Sequence, residues 1–170
     1  MKYFELSLWP LTGLIIGSFV NVCVDRLSIQ FSKTERRLNL LKSSETSELL
    51  KKHILNRSLN LFNPTRSFCF SCGHQLNWFE NIPILSYLLC QGNCLKCKTP
   101  IGSKTIWSEI FHGLYYFASV FFLDNWIHAL AFCICFSFFW FIINFCYFSR
   151  NFERSPLKEV TWFPPVIVLY

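Results

Sequence analysis

The feature that most constrains the fold is a run of nineteen residues, 6–24, that contains no charged side chain and is bounded by Glu5 and Asp25. A helix of about 20 apolar residues is long enough to cross the roughly 30 Å hydrocarbon core of a bilayer. A secretory signal peptide is the alternative, but Lys2 is offset by Glu5, and the end of the run, VCVDRL, lacks the small residues of a cleavage site. We therefore predict that residues 1–24 form a first transmembrane segment.

Two further apolar stretches lie in the last third of the chain, over residues 106–123 and 126–148, and only Asp124 and Asn125 separate them. We predict that residues 106–148 form a second and a third transmembrane helix joined by a tight turn. The composition agrees, because twenty Phe and six Trp among 170 residues would overfill the core of one small soluble domain. The predicted fold class is therefore α, a polytopic helical membrane protein with about three transmembrane helices.

Two ionisable residues, Glu109 and His112, lie one helical turn apart near the start of the predicted second span. Their spacing places them on one face of a helix. Ionisable side chains at such a depth are functional candidates by default. The alternative is that both lie at the membrane interface and contact water.

The segment between the first two predicted spans, residues 25–105, is basic, with twelve Lys and Arg against five acidic residues. The turn between the second and third spans has no basic residue, so the positive-inside rule places 25–105 in the cytoplasm. Residues 149–170 would follow as a second cytoplasmic segment that is too short to span. We expect no nucleic-acid partner, because no motif that reads bases is present and the loop is tethered to a membrane.

Within the loop, residues 28–62 are rich in leucines whose loose spacing predicts an amphipathic helix or a pair of helices. This segment is predicted to be a separate insertion. Its basic face could rest on anionic lipid. A solvated helical excursion without a specific partner is the alternative, and the sequence leaves both open.

Four of the nine cysteines form two Cys-x2-Cys pairs, Cys69 with Cys72 and Cys94 with Cys97. Two such pairs supply the four thiolates of a tetrahedral zinc site, so we predict a zinc knuckle over residues 66–102. Two disulfides or four free thiols are the alternatives, and a reducing cytoplasm disfavours the disulfides. A shell of four thiolates leaves no open position to activate water, so the predicted Zn²⁺ is structural.

Several segments together resemble a known family. The segments GLIIGSFVNVCVDRL (13–27) and TRSFCFSCGHQLNWFENIPILSYLLCQGNCLKCKTPIG (65–102), followed by Glu109, are similar to the N-terminal half of the type IV prepilin peptidases. Members of that family are polytopic proteins of the bacterial inner membrane. They cleave and then N-methylate the leaders of type IV pilins and type II secretion pseudopilins.

The resemblance implies a multi-pass protein of the inner membrane with a cytoplasmic zinc loop that the four paired cysteines hold. It places Gly92 on a glycine that the family associates with methyl transfer. S-adenosylmethionine would be a cofactor only if methyl transfer is retained. This role for Gly92 follows from the resemblance and from nothing else in the sequence.

The peptidase half of the family's chemistry uses two membrane-embedded aspartates. The family's register places Ser149 where the first aspartate belongs, with Pro156 seven residues later, and the chain has no GxGD motif for the second. Asp25 and Asp124 are its two aspartates, and the predicted topology puts them on opposite faces of the membrane. We therefore assign no catalytic residue and do not expect this chain alone to be an active peptidase.

The sequence thus predicts a truncated, split or degenerate relative of the prepilin peptidases. Its expected partners are the lipid bilayer, prepilin or pseudopilin leader segments, and a second chain that carries the missing half. A non-catalytic membrane module that binds pilin leaders or assembly components is the alternative. A remnant without activity is a third possibility.

Overall fold

The computed structural model describes residues 2–151 of the chain, which are mainly helical. Its elements are α1 (Lys2–Gln30), α2 (Thr34–Lys42), α3 (Glu48–Leu55), a 3₁₀ turn (Trp78–Asn81), α4 (Leu85–Leu89), α5 (Lys104–Phe122) and α6 (Trp126–Asn151). The extended pairing in this range is limited to two isolated antiparallel bridges. The predicted α class is confirmed.

Two described helices are long and apolar enough to cross a membrane, over Leu6–Gln30 in α1 and Trp126–Tyr147 in α6. This is the pattern of a helical membrane protein. Helix α5 is not one of the two. It has only 19 residues, and these include buried polar side chains, so the prediction of a span at this position stays a prediction.

Helices α1 and α5 pack in close contact because two glycines remove side chains from their interface. A Cβ atom on Gly13 would lie 2.5 Å from the carbonyl oxygen of His112, and one on Gly17 would lie 2.8 Å from that of Ser108. Small residues one turn apart allow backbones to approach in this way in membrane helices. The Ser108 hydroxyl also accepts a hydrogen bond from Trp140 Nε1 at 3.1 Å, which brings α6 to the same seam.

The three long helices form a bundle whose outer surface is apolar. Val20 and Val24 of α1 pack against Trp140 and Phe141 of α6. The outward face of α6 exposes large apolar side chains: Phe132, Ile134, Phe138, Phe139, Ile142 and Ile143. Such a face is unfavourable in water and favourable in hydrocarbon.

A second core joins the end of α1, the helices α2 and α3, and the first cysteine pair. Its buried members are Ile29, Leu40, Leu50, Ile54, Leu59 and Phe68. The side chain of Ser47 begins α3 by accepting a hydrogen bond from Leu50 N at 3.3 Å. Residues 28–62 therefore do form a helical pair, which begins after α1 ends at Gln30 and shares its core with Ile29 and Phe68. That this segment is an insertion stays a prediction.

Arg26 connects the bundle to this second core. Its guanidinium is buried, and Nη1 donates to the carbonyl oxygens of Asn60, Leu61 and Pro64 at 2.8–3.2 Å. Nη2 donates to the carbonyl oxygen of Arg66 at 3.2 Å. Arg26 therefore fixes the loop that leads into the first cysteine pair.

Candidate metal centre

The first cysteine pair lies in a tight turn that the backbone closes. The amide of Cys69 donates to the carbonyl oxygen of His74 at 2.8 Å, and the amide of Gly73 donates to that of Cys69 at 2.8 Å. Gly73 has a φ of +73°, in the left-handed region that favours glycine. The turn directs the side chains of Cys69 and Cys72 to one side.

The second pair repeats this backbone arrangement. Cys94 N donates to the carbonyl oxygen of Thr99 at 2.9 Å, and Lys98 N donates to that of Cys94 at 2.9 Å. Lys98 stands where the first turn has its glycine and also has a positive φ, of +58°. The two turns therefore have the same backbone conformation, although one has a glycine and the other a lysine at the position with positive φ.

The four sulfur atoms converge on one point. All four Sγ atoms lie within 4.8 Å of one another, with Cys69 Sγ 3.8 Å from Cys97 Sγ and Cys72 Sγ 3.9 Å from Cys94 Sγ. A tetrahedron with zinc–sulfur bonds of 2.3 Å has edges of about 3.8 Å. All nine cysteines are free thiols, so the pairs form no disulfide, and this group of cysteines could hold a metal ion.

Two of the thiols, Cys69 and Cys97, differ in how readily they ionise. Burial raises the pKa of Cys69 to about 12. Burial also acts to raise the pKa of Cys97, but hydrogen bonds from the hydroxyl and the backbone amide of Thr99 outweigh it and lower that pKa to about 6. Metal binding requires thiolates, so hydrogen bonding at the exposed Cys97 favours the form of the side chain that binds a metal.

His74 is not part of the sulfur cluster. Its Nε2 lies 3.1 and 3.2 Å from the two carboxylate oxygens of Glu80, and Glu80 also accepts hydrogen bonds from the backbone and side-chain nitrogens of Asn77 at 2.8 and 2.7 Å. Burial acts to raise the pKa of Glu80, but these hydrogen bonds and His74 outweigh it, so the pKa lies below its ordinary value. Glu80 is a site residue that the sequence did not single out.

Glu109 and His112 are both buried, at 4% and 0% exposure. Glu109 Oε2 accepts a hydrogen bond at 2.7 Å from the amide of Ile84, which connects α5 to the segment between the cysteine pairs. His112 Nδ1 lies 2.7 Å from the Ser108 carbonyl oxygen, and its Nε2 has no hydrogen-bond partner within the described range. The two residues therefore have different surroundings and do not form a dyad.

A cavity of about 300 Å³ lies between α1, α5 and the cysteine turns. Its lining includes the carboxylates of Asp25, Glu80 and Glu109, together with Cys69 and Cys94 of the metal cluster. Asp25 also forms an ion pair with Lys104 across the α1–α5 contact. The metal cluster thus lies beside an acidic cavity at the end of the helix bundle.

Gly92 forms the turn between α4 and the second cysteine pair. Its φ is +67°, and a Cβ at this position would lie 3.0 Å from the ring of Tyr87, which lines the cavity. A side chain at Gly92 would therefore disturb both the turn and the cavity wall. The methyl-transfer role of Gly92 stays an expectation from the resemblance.

The positions that the family's register assigns to the first aspartate and its proline lie at or beyond the end of the described residues. Ser149 lies within α6, but its side chain and the whole of Pro156 are outside the described residues. Asp25 pairs with the first residue of α5, whereas Asp124 lies beyond its last residue. A helix of 19 residues is roughly 28 Å long, so these two aspartates cannot share a proton or a water molecule.

Comparison with known proteins finds the same family that the sequence motifs resemble. The family model described as the bacterial peptidase A24 N-terminal domain matches residues 11–123, a range that contains the whole of 28–62. A prepilin leader peptidase/N-methyltransferase of Burkholderia pseudomallei is 38% identical over 110 residues, which cover 64% of this chain and 34% of that protein. No solved structure matches the chain.

Two more distant relatives carry the same name. The protein of Vibrio cholerae is 29% identical over 131 residues, covering 77% of this chain and 44% of its own length. The protein of Dichelobacter nodosus is 26% identical over 146 residues, covering 86% of this chain and 49% of its own length. The chain therefore spans about a third to a half of the curated relatives that it matches.

Proposed function

The chain belongs to the bacterial peptidase A24 N-terminal domain family, and on that basis we propose that it is the metal-binding part of a prepilin peptidase-like system in the bacterial inner membrane. It would serve the type IV pilus or the type II secretion pathway. The convergence of the four cysteines, with two sulfur–sulfur distances near the 3.8 Å edge of a zinc tetrahedron, supports this proposal best.

The metal in this proposal is a structural Zn²⁺ held by Cys69, Cys72, Cys94 and Cys97. Two of these ligands, Cys69 and Cys94, also line the acidic cavity. The ion would therefore fix the cavity wall without entering the reaction.

We place the basic loop in the cytoplasm and count α5 as a third span. The excess of Lys and Arg in residues 25–105 supports this orientation. The close contact of α5 with α1 through Gly13 and Gly17 supports its place inside the bundle. Glu109 and His112 then face the interior of the bundle rather than lipid.

The cavity is the proposed binding site for the N-terminus of a pilin leader or of the cleaved pilin. Of its three carboxylates, Asp25 already pairs with Lys104 and Glu80 with His74, so Glu109 is the one proposed to complement the ammonium group of a peptide N-terminus. An amine must lose a proton before it accepts a methyl group, and a buried carboxylate is a suitable acceptor for that proton. If methyl transfer is retained, S-adenosylmethionine supplies the methyl group.

Cleavage of the leader is not assigned to the described residues. Asp25 and Asp124 lie at opposite ends of α5, and the four-cysteine site is closed to water. A second chain, or sequence outside residues 1–170, would supply the two aspartates. The same observations favour the second candidate function, a non-catalytic module that holds pilin leaders or assembly components.

A binding experiment on the purified full chain in detergent tests the cavity. A fluorescent peptide with the N-terminal sequence of a pilin should bind, and acetylation of its amine or Glu109→Gln should weaken binding at least tenfold, since each removes one charge of a desolvated pair. Glu48→Gln, which changes a carboxylate whose side chain is 89% exposed on α3, is the matched control. Absence of binding to the unmodified protein would refute the proposal, and cleavage by this chain alone would refute the non-catalytic alternative.

A further inference from the structure

A second cavity, of about 220 Å³, lies where α1 ends and meets α2 and α3. Its polar lining comes from Gln30, Arg37, His53 and Arg57, and Phe31 lies at its edge. It shares no lining residue with the acidic cavity beside the metal cluster. Neither the proposed metal site nor the proposed leader site explains it.

The position of this basic cavity relative to the bilayer follows from α1. Gln30 is six residues beyond the end of the charge-free run at residue 24, which is about 9 Å along the helix axis. The polar headgroup layer on each side of the hydrocarbon core is about 5–8 Å thick. The cavity therefore lies at the outer edge of the lipid headgroup layer, and the ring of Phe31, which is 70% exposed, lies beside it.

The electrostatics of the cavity favour an anion. Arg37 and Arg57 contribute two permanent positive charges, and none of the described residues that line the cavity is acidic. Burial first, and then the charges of Arg26 and Lys52, hold the pKa of His53 below its ordinary value. Positive potential thus reaches the cavity from three elements, the end of α1, α2 and α3.

Arg57 also occupies a backbone position that an arginine rarely adopts. Its φ is +49°, and it directly follows Asn56, the residue that caps the end of α3. Glycine or asparagine is usual at this position. An arginine in this backbone conformation is strained. In return, it places a guanidinium group at the cavity, which glycine or asparagine could not supply.

We propose that this cavity binds the phosphate of an anionic phospholipid from the bilayer that α1 crosses. Guanidinium groups bind phosphate oxygens in a bidentate manner. Arg37 and Arg57 would contact the phosphate, while the exposed ring of Phe31 packs against the rest of the headgroup. The occupant is a lipid because the cavity continues the surface that α1 already presents to the membrane, and because its charge is opposite to that of anionic headgroups.

The test uses the purified full chain in a neutral detergent. Phosphatidylglycerol titrated into the micelles should raise the melting temperature, whereas phosphatidylcholine and inorganic phosphate should not. The double variant Arg37→Gln/Arg57→Gln should bind phosphatidylglycerol about 30-fold more weakly, because each basic residue near an anionic surface contributes about a fivefold factor. Arg57→Gln alone should show part of the loss, and it changes only an exposed side chain.

The control variant Lys42→Gln/Lys96→Gln removes the same charge from other exposed positions and should keep the response to phosphatidylglycerol. The proposal is overturned if the arginine variants respond as the unmodified protein does. It is also overturned if the lysine control loses as much affinity, since net charge would then be the cause. An equal shift with inorganic phosphate would assign the cavity to a free anion instead of a lipid.

Discussion

The helix bundle and the lobe that carries the four paired cysteines, residues 31–103, differ in their distribution of polarity. In the bundle, polar side chains (Asn21, Ser108, Glu109, His112 and Ser119) are buried beside apolar ones, while the exposed set is rich in phenylalanine and isoleucine. In the lobe, apolar residues from α2, α3 and the first cysteine turn are inside, and the lysines and arginines are largely outside. The difference indicates two solvents, lipid around the bundle and water around the lobe.

The boundary between these environments is formed by a few contacts. Arg26 binds the loop at 60–66, and Lys104 pairs with Asp25. Glu109 holds the amide of Ile84. If the two regions are as different as their polarity indicates, a substitution in one should leave the other folded.

Loss of the metal should destabilise the protein more than any other change considered below, and this destabilisation should be confined to the lobe. Cys94→Ser removes a buried ligand, and structural zinc binds small domains with about 10–16 kcal/mol. We expect the variant to lose its metal, and proteases to cut the lobe while the three long helices stay protected. Metal analysis and mapped proteolytic fragments measure the two effects.

Cys90→Ser is the matched control for this substitution, since Cys90 lies near the cluster but outside it. It should retain about one metal ion per chain. A full complement of zinc in Cys94→Ser would contradict the assigned ligand set. Unfolding of the bundle together with the lobe would contradict the separation of the two regions.

Arg26→Met should give the next largest effect and should destabilise both regions. The change leaves four carbonyl oxygens without their donor, and hydrogen bonds to a charged group contribute about 1.5–3 kcal/mol each. We expect a loss of about 3 kcal/mol in the free energy of unfolding in detergent, which is less than the sum of four such bonds because the variant no longer buries a charge. Arg66→Met, the same change at an exposed arginine, should lose less than 1 kcal/mol, and equal losses would argue against a special role for Arg26.

Gly17→Ala should destabilise the bundle and leave metal binding unchanged. The new Cβ would lie 2.8 Å from a backbone oxygen of α5, and overpacking of this kind costs about 1–3 kcal/mol. Denaturation in mixed micelles measures this loss, and metal content measures the lobe. Ala131→Leu adds volume at an exposed position of α6 and should be neutral, so a stable Gly17→Ala would refute the close contact.

The smallest effect should be a pH dependence of the lobe that comes from His53. Its pKa is lowered in the folded state, first by burial and then by Arg26 and Lys52, so the unfolded state binds the proton more readily. The stability that neutral His53 contributes is therefore present above about pH 6.5 and is lost as pH falls through the folded pKa. His53→Gln should reduce the difference in stability of the lobe between pH 7.5 and 5.5, and an unchanged pH profile would contradict this assignment.

The sequence predicts the two regions to different extents. The four cysteines are recognised from spacing, because each pair closes a local turn of a few residues. The long apolar helices are recognised from composition, because hydrocarbon requires about 20 apolar residues in a row. Both patterns involve residues that are close together in the sequence, so they can be recognised without knowledge of the fold.

The contacts that join the regions were not predictable in this way. Arg26 meets carbonyl oxygens 34–40 residues away, and Glu109 meets an amide 25 residues away. Hydrophobic periodicity does not indicate contacts between residues so far apart in sequence. From the sequence, Arg26 could be interpreted only as a positive charge beside the first predicted transmembrane segment. For the same reason, the leucines of residues 28–62 did not indicate which core they join, since Ile29 and Phe68 complete that core.

The glycine seam between α1 and α5 also has a consequence for biosynthesis. About 70 residues separate the end of α1 from the start of α5, and at a synthesis rate of 5–20 residues per second the ribosome needs roughly 4–15 s to produce them. During that interval α1 is in the bilayer without its partner, and the notch at Gly13 and Gly17 faces lipid or a neighbouring nascent chain. Slower translation of residues 31–103 would lengthen this exposure and favour pairing between α1 helices of different copies.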